Sequence, residues 1–102
     1  PDAVFCTSDD LAIGFQNGAR AHGIIAGRDF SLIGFDGQPM AVHALPPIAT
    51  VVATMRQIGQ CAARMALERI KAPEMPTRTL ALGCSLFEGD TILSKTACND
   101  AR

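Results

Sequence analysis

Residues 4–15, VFCTSDDLAIGF, contain the pattern from which the fold can be predicted. An apolar run is followed by a Ser-Asp-Asp cluster, and then by apolar residues at helical spacing. This order predicts a strand buried on both faces, followed by a helix capped at Ser8 or Asp9. A second apolar run, FSLIGF at residues 30–35, predicts another strand. Strand, helix and strand at this spacing form a βαβ unit, whose two strands are parallel.

Both predicted strands end in carboxylates. The carboxyl ends of parallel strands meet at one edge of a sheet, where ligands bind in open α/β folds, so Ser8, Asp9 and Asp36 are expected at one rim. An ionised carboxylate only accepts hydrogen bonds, and it can hold two neighbouring hydroxyl groups of a polar molecule. The same residues also fit local roles, with Asp9 as a helix cap and Asp36 as a cap of the following turn. Both interpretations stay open at this point.

The remaining patterns complete an α/β domain with a parallel sheet and flanking helices. Residues 40–44 predict a short helical turn, residues 48–53 a third strand and residues 56–71 a second amphipathic helix. Alternating apolar residues over 80–86 predict a strand with one buried face, and residues 94–102 read as a flexible tail. In the first helix the residues that recur at helical spacing are Leu11, Phe15, Ala19 and His22.

Composition limits what the chain does. With 102 residues it is one domain at most, and 48% apolar against 19% charged residues indicates a globular fold. The net charge of −1 provides no electrostatic footprint for DNA or for an anionic membrane. Cys6, Cys61 and Cys84 lie in apolar runs without a Cys-x-x-Cys pair, which favours buried, reduced thiols.

Motifs for a metal, a cofactor or a nucleophile are lacking. His22 and His43 stand alone, without Cys or carboxylate partners at metal-ligand spacing. There is no glycine-rich phosphate loop, and no nucleophile is accompanied by a recognisable base. We therefore expect no metal site, no cofactor and no enzymatic activity.

Four segments together resemble one family. PDAVFCTSDDLAIG, RDFSLIGFDG, LPPIATV and MRQIGQCAARMALERI occur in the order and spacing of the lactose-repressor-like (LacI/GalR) transcription regulators, over residues 1–91. The resemblance implies part of a periplasmic-binding-protein-like (type I) fold, in which two α/β lobes joined by crossing strands hold a small effector in their cleft. It assigns residues 1–52 and 83–93 to the C-terminal lobe and residues 55–82 to the N-terminal lobe.

The resemblance also implies site residues. Asp36 matches the family's cleft aspartate, which accepts hydrogen bonds from the effector, and Ser8 and Asp9 match a family Asn-Asp pair. Met55 stands where relatives often place an aromatic cleft wall, and Phe35 is a further candidate wall or a core residue. The serine in place of asparagine, and the methionine in place of an aromatic residue, leave the effector class open.

Relatives in this family form dimers through the outer face of the first helix and the loop before the Pro-Pro pair. The corresponding residues here are Ile13, Asn17, Ala21, Val42 and Leu45. We therefore expect a homodimeric, cytoplasmic regulator that binds a sugar or another small polar metabolite. It would bind DNA through an N-terminal helix-turn-helix that this stretch does not contain, and it would not bind membranes.

Two other functions remain possible from the sequence. A periplasmic sugar-binding protein of a transporter shares the fold and also tends to carry the GFDG motif. A fragment of an α/β hydrolase-like enzyme would need a nucleophile at a strand end, for which only Cys6, Thr7 and Ser8 are available. The LPPIATV segment and the unpaired cysteines favour the regulator.

Overall fold

A computed structural model describes residues 1–94 of the chain. It divides them into two compact units, Pro1–Val52 with the described residues from Ser85 onward, and Ala53–Cys84. In chain order the elements are β1 (Ala3–Phe5), α1 (Asp9–Ala21), β2 (Ser31–Asp36), α2 (Pro39–Val42), β3 (Ala49–Val52), α3 (Met55–Lys71) and β4 (Ser85–Phe87). The predicted α/β class is confirmed. None of the helices in residues 1–94 has the length and apolarity needed to cross a membrane.

The first unit contains a sheet whose four described strands follow the order β1-β2-β3-β4. The first three strands are parallel, and β4 runs antiparallel to β3. In the register, Phe5 lies opposite Ile33 and Asp36 lies opposite Val52. The predicted βαβ unit is therefore present, and the carboxyl ends of β1, β2 and β3 share one edge.

Helix α1 packs on the sheet through small and polar side chains. Its buried residues are Asp9, Ala12 and Gln16, whereas Leu11 is 58% exposed and Phe15 is 43% exposed. Of the residues that recur at helical spacing, Phe15 meets the ring of the buried Phe30 edge to face at a centroid distance of 5.6 Å, and Ala19 packs against the core. The fully buried apolar position of the helix is Ala12, because its small methyl group fits against the β2 backbone where a larger side chain would not.

Two burial predictions need correction. The apolar run predicts a β1 strand buried on both faces, but Phe5 is 58% exposed. It lies opposite Ile33, on the face of the sheet away from Gly34 and α1. Among the thiols, Cys6 is buried, Cys61 is partly buried and Cys84 is exposed, and all three are free. Burial raises the pKa of the Cys6 thiol. The predicted strand over 80–86 is wrong for residues 80–84, because the strand comprises only Ser85–Phe87, and Cys84 lies just outside it. Cys98 lies outside the described residues, as does the predicted tail except for Ser94.

The second unit is built around α3. No residue of this helix is buried among the described residues, although Ile58, Cys61 and Met65 line one side of it together with Leu80 and Leu82. The following segment is held to the helix end by Arg69, which donates hydrogen bonds to the carbonyls of residues 73, 75 and 76. The apolar face of α3 that the amphipathic pattern predicts is therefore only partly covered by other residues of this unit.

The segment after β4 fastens the sheet at its amino-terminal edge through Thr91. The side chain is fully buried; its hydroxyl donates to the carbonyl oxygen of Leu32 at 2.7 Å and accepts the N–H of Ala49 at 2.9 Å. The N–H of Leu32 also donates to the Thr91 carbonyl at 2.8 Å. One residue therefore joins β2, β3 and the segment after β4.

We expect Thr91→Val to lower the free energy of unfolding by about 1–3 kcal/mol, because the valine leaves the buried Ala49 N–H without its partner. Urea unfolding followed by circular dichroism measures this change. Thr91→Ser keeps the hydroxyl and is the matched control, which should lose much less stability. Equal stability of Thr91→Val and the unchanged chain would contradict this role.

Candidate functional site at the carboxyl edge of the sheet

Ser8 begins α1 as its N-cap. Its backbone is extended, and its hydroxyl accepts the N–H of Leu11 at 3.3 Å. This arrangement satisfies one of the amide groups that the first helical turn leaves without a backbone partner. Asp9 is the first helical residue, so the interpretation of Asp9 as the N-cap is wrong. Its side chain takes no part in capping and points towards β3 and the loop after β2.

Asp9 is a buried carboxylate with both oxygens in use. The residue is 0% exposed; Oδ1 accepts the Thr50 hydroxyl at 2.7 Å, and Oδ2 accepts the N–H of Gln38 at 2.6 Å. No cation pairs with it among residues 1–94. Its charge is therefore stabilised by these hydrogen bonds and by the positive end of α1. Each hydrogen bond to such a charged group contributes about 1.5–3 kcal/mol.

Thr50 lies in β3 and relays the contact from Asp9 to the loop after β2. Its fully buried hydroxyl donates to Asp9 and at the same time accepts the N–H of Gly37 at 3.1 Å. Consecutive loop amides, those of Gly37 and Gln38, are thus held by the Thr50 hydroxyl and the Asp9 carboxylate. We call this arrangement of Asp9, Thr50 and the two amides the rim network.

The rim network can form only because residue 34 is a glycine and has no side chain. A Cβ atom on Gly34 would lie 2.4 Å from Oδ1 of Asp9 and 3.2 Å from Cβ of Ala12. The first distance is far below van der Waals contact, so only glycine lets the helix start and its carboxylate approach β2 this closely. This close contact explains why the first glycine of the FSLIGFDG segment, Gly34, is a glycine.

Asp36, the last residue of β2, differs from Asp9 in its surroundings. It is partly exposed, and no donor group among residues 1–94 binds its carboxylate. Since no buried side-chain oxygen or nitrogen in these residues lacks a partner, the carboxylate oxygens of Asp36 are accessible. At one rim, the structure therefore combines a carboxylate that is fully occupied and a carboxylate that is available to a ligand.

The backbone at Asp36 has an unusual conformation. Its φ angle is 120° and that of the following Gly37 is 77°. A non-glycine residue with positive φ costs on the order of 1–3 kcal/mol and persists only where the surroundings enforce it. The amides of Gly37 and Gln38, which follow directly, are held by the rim network, and this accounts for the conformation.

The other predicted effector residues are placed differently. Phe35 is half-buried in β2 and, by the alternation of side chains along a strand, faces away from the side of Gly34 and α1. Met55 belongs to the second unit, where it is the first residue of α3 and 51% exposed. Within the first unit, the rim thus brings together Ser8, Asp9 and Asp36 but not Phe35.

Sequence reasoning missed Thr50 and Gln38. Gln38 contributes only a backbone amide, which no side-chain pattern reveals. Thr50 did carry a signal, because it is a polar residue inside the apolar run IATVV and a buried hydroxyl needs a hydrogen-bond partner.

The predicted dimer residues lie on α1, at the end of α2 and on the loop from α2 to β3. Gln16 donates to the carbonyl of Pro46 at 3.1 Å, and Arg20 donates to the carbonyl of Leu45, so this loop is fixed against α1. Leu45 is 79% exposed. The remaining predicted residues are partly buried or exposed, namely Ile13, Asn17, Ala21 and Val42.

Among residues 1–94, no three His, Cys, Asp or Glu side chains lie close enough together to hold a metal ion. The candidate site consists of the rim network and the accessible Asp36 carboxylate.

A sequence profile of the periplasmic binding protein-like domain matches residues 1–92. The chain belongs to this family. The chain is 35% identical over 96 residues to the HTH-type transcriptional repressor PurR of Vibrio cholerae serotype O1, and 35% identical over 82 residues to the ribose operon repressor of Haemophilus influenzae. These matches cover 94% and 80% of the chain but only 29% and 25% of the relatives.

Solved structures of transcriptional regulators have the same fold as this chain. A complex of the transcriptional regulator CelR with cellobiose matches with a TM-score of 0.82 at 29% identity, covering 88% of this chain and 28% of that one. A LacI family transcriptional regulator from Enterococcus faecium with bound ribose matches with a TM-score of 0.79 at 27% identity, covering 90% and 34%. The predicted resemblance to LacI-type regulators is confirmed, and the chain spans less than a third of its curated relatives' length.

We expect Gly34→Ala to destabilise the chain by about 1–3 kcal/mol, because the added methyl group collides with the Asp9 carboxylate. Gly14→Ala is the matched control. Gly14 is exposed in α1, and a methyl group added there would have no other atom within 4 Å, so alanine should stabilise by about 0.5–1 kcal/mol. Thermal unfolding compares the two variants, and similar shifts for both would contradict the close contact.

Proposed function

We propose that this chain is part of the effector-binding domain of a LacI-type transcriptional regulator, in which Asp36 accepts hydrogen bonds from hydroxyl groups of a sugar or a similar polar metabolite. The observation that carries the proposal is the accessible, unpartnered carboxylate of Asp36 at the carboxyl edge of a parallel sheet. Such edges are where open α/β folds bind ligands. Solved relatives with bound ribose and cellobiose support a polyhydroxyl effector.

In this proposal Ser8 is a secondary contact at the same rim, since its hydroxyl is only partly buried and can donate while it caps α1. Phe35 and Met55 remain candidate apolar walls. Asp9 is fully buried and reaches an effector directly only if its present hydrogen bonds break. Asp36 is therefore the principal recognition residue.

The regulator would act on DNA through a separate helix-turn-helix, with effector binding in the cleft changing the affinity of that segment for its operator. The near-neutral charge of this chain fits a domain that does not itself contact the phosphate backbone. The curated relatives are transcriptional repressors, which supports a cytoplasmic, non-enzymatic protein. We assign no cofactor or metal to this activity.

The hydrolase alternative has little support at the strand end where a nucleophile would lie. Cys6 is buried, and burial raises the pKa of its thiol, which lowers the fraction of reactive thiolate. Ser8 uses its hydroxyl oxygen to cap α1. The transporter alternative shares the fold, but the similar proteins named above are gene regulators.

We expect Asp36→Asn in the full-length protein to weaken ribose or cellobiose binding at least about tenfold, because hydrogen bonds to a charged acceptor are lost. Isothermal titration calorimetry with each sugar measures the change. Asp10→Asn is the matched control, since Asp10 is an exposed carboxylate in the first turn of α1. Equal affinities of Asp36→Asn and the unchanged protein would remove Asp36 from the site.

We further propose a homodimer that forms through α1 and the loop before Pro46, a surface comprising Ile13, Asn17, Ala21, Val42 and Leu45. The exposed Leu45 side chain, on a loop fixed to α1, is its most prominent apolar group. Charge at the core of such a surface opposes association.

We expect Leu45→Glu to shift the full-length protein from dimer towards monomer. Sedimentation velocity at several concentrations measures this shift, with circular dichroism confirming that the variant is folded. A folded Leu45→Glu variant that remains dimeric at every concentration would place the dimer contact on another surface.

A further inference from the structure

We propose that Asp9 and Thr50 are positioning residues: they fix the loop of residues 36–38 so that the Asp36 carboxylate is presented to the effector, and they do not touch the effector themselves. This inference rests on the proposed function of Asp36. It changes the role predicted for Asp9 from direct contact to indirect control. It also assigns a functional role to Thr50, which the sequence motifs alone did not single out.

The two carboxylates at the rim differ in their accessibility. Asp9 has no exposed surface, and both of its oxygens accept short hydrogen bonds, of 2.7 Å from Thr50 and 2.6 Å from Gln38. A ligand would have to displace one of these donors to reach it. Asp36, by contrast, has accessible oxygens without a partner among residues 1–94.

The rim network holds the two backbone amides next to Asp36. Gly37 and Gln38 directly follow Asp36, and their N–H groups bind the Thr50 hydroxyl and the Asp9 carboxylate. Asp36 and Gly37 both have positive φ angles, a combination that a free loop rarely adopts. Releasing either amide lets the backbone return to ordinary angles, and the Asp36 side chain then points in another direction.

The Thr50 side chain has the chemistry that the rim network requires. Its hydroxyl has to donate to Asp9 and accept from Gly37 at once, which serine and threonine can do and valine cannot. The side chain is fully buried in β3, so no water molecule from bulk solvent replaces it. A loop held in this way is prearranged for its ligand, which reduces the ordering cost on binding.

The test compares Thr50→Val with Thr50→Ser in the full-length protein. Valine keeps the volume and removes the hydroxyl, whereas serine keeps the hydroxyl. We expect Thr50→Val to raise the dissociation constant for ribose or cellobiose about tenfold at a temperature where both variants are folded, and Thr50→Ser to stay within about threefold. Hydrogen–deuterium exchange of the peptide covering Gly37 and Gln38 should be faster in Thr50→Val only.

A double-mutant cycle separates positioning from general stability. If Thr50 acts through Asp36, Thr50→Val should change the affinity little in a protein that already carries Asp36→Asn, because the two effects are coupled. The same fold-loss in both backgrounds would overturn the proposal. So would a Thr50→Val protein that melts earlier but keeps its affinity and its exchange rate.

The two proposals can fail separately. If the unchanged protein binds neither sugar, the proposed effector class is wrong, and the exchange measurement alone decides whether the network holds the loop. If Thr50→Val does not fold, Asp9→Leu replaces it, because leucine is of comparable size and has no oxygen that could accept the N–H of Gln38. Unchanged exchange at Gln38 in Asp9→Leu would then overturn the inference.

Discussion

The rest of the first unit depends on one buried charge, the Asp9 carboxylate. A carboxylate without exposed surface is costly unless hydrogen bonds replace its water. Here the replacements come from Thr50 in β3 and from the Gln38 amide after β2, so satisfying the charge brings three parts of the chain together. The hydrogen bonds that satisfy Asp9 therefore also fix the loop after β2 at the carboxyl edge of the sheet.

The family motifs can be understood from this constraint. In TSDD, Ser8 caps the helix and leaves the following aspartate free to point inwards. In LIGFDG, Gly34 provides the space for that carboxylate and Gly37 provides the turn that reaches the network. In PPIATV, Thr50 provides the hydroxyl that links the two. Three separate segments thus meet in a single hydrogen-bond network, and Asp36 stands beside it with its own carboxylate accessible.

Much of the architecture could be predicted, because apolar periodicity and strand-end polarity are local properties. The βαβ unit, the common rim and the placement of Asp36 at the end of β2 followed from runs of a few residues. Which residues of α1 are fully buried could not be predicted in this way. The close approach of α1 to β2 leaves room for the small Ala12, whereas the larger Leu11 and Phe15 are exposed. The contacts of Asp9 were also hidden, because its partners lie 29 and 41 residues away and one of them is a backbone amide.

The most direct test of this account is a crystal structure of the full-length protein with bound ribose. We expect a ribose hydroxyl about 3 Å from the Asp36 carboxylate, a normal hydrogen-bond distance, with Asp9 keeping its bonds to Thr50 and Gln38 and making no contact with the sugar. A structure in which Asp9 turns out of the network to bind ribose, with Asp36 directed away from it, would contradict the account.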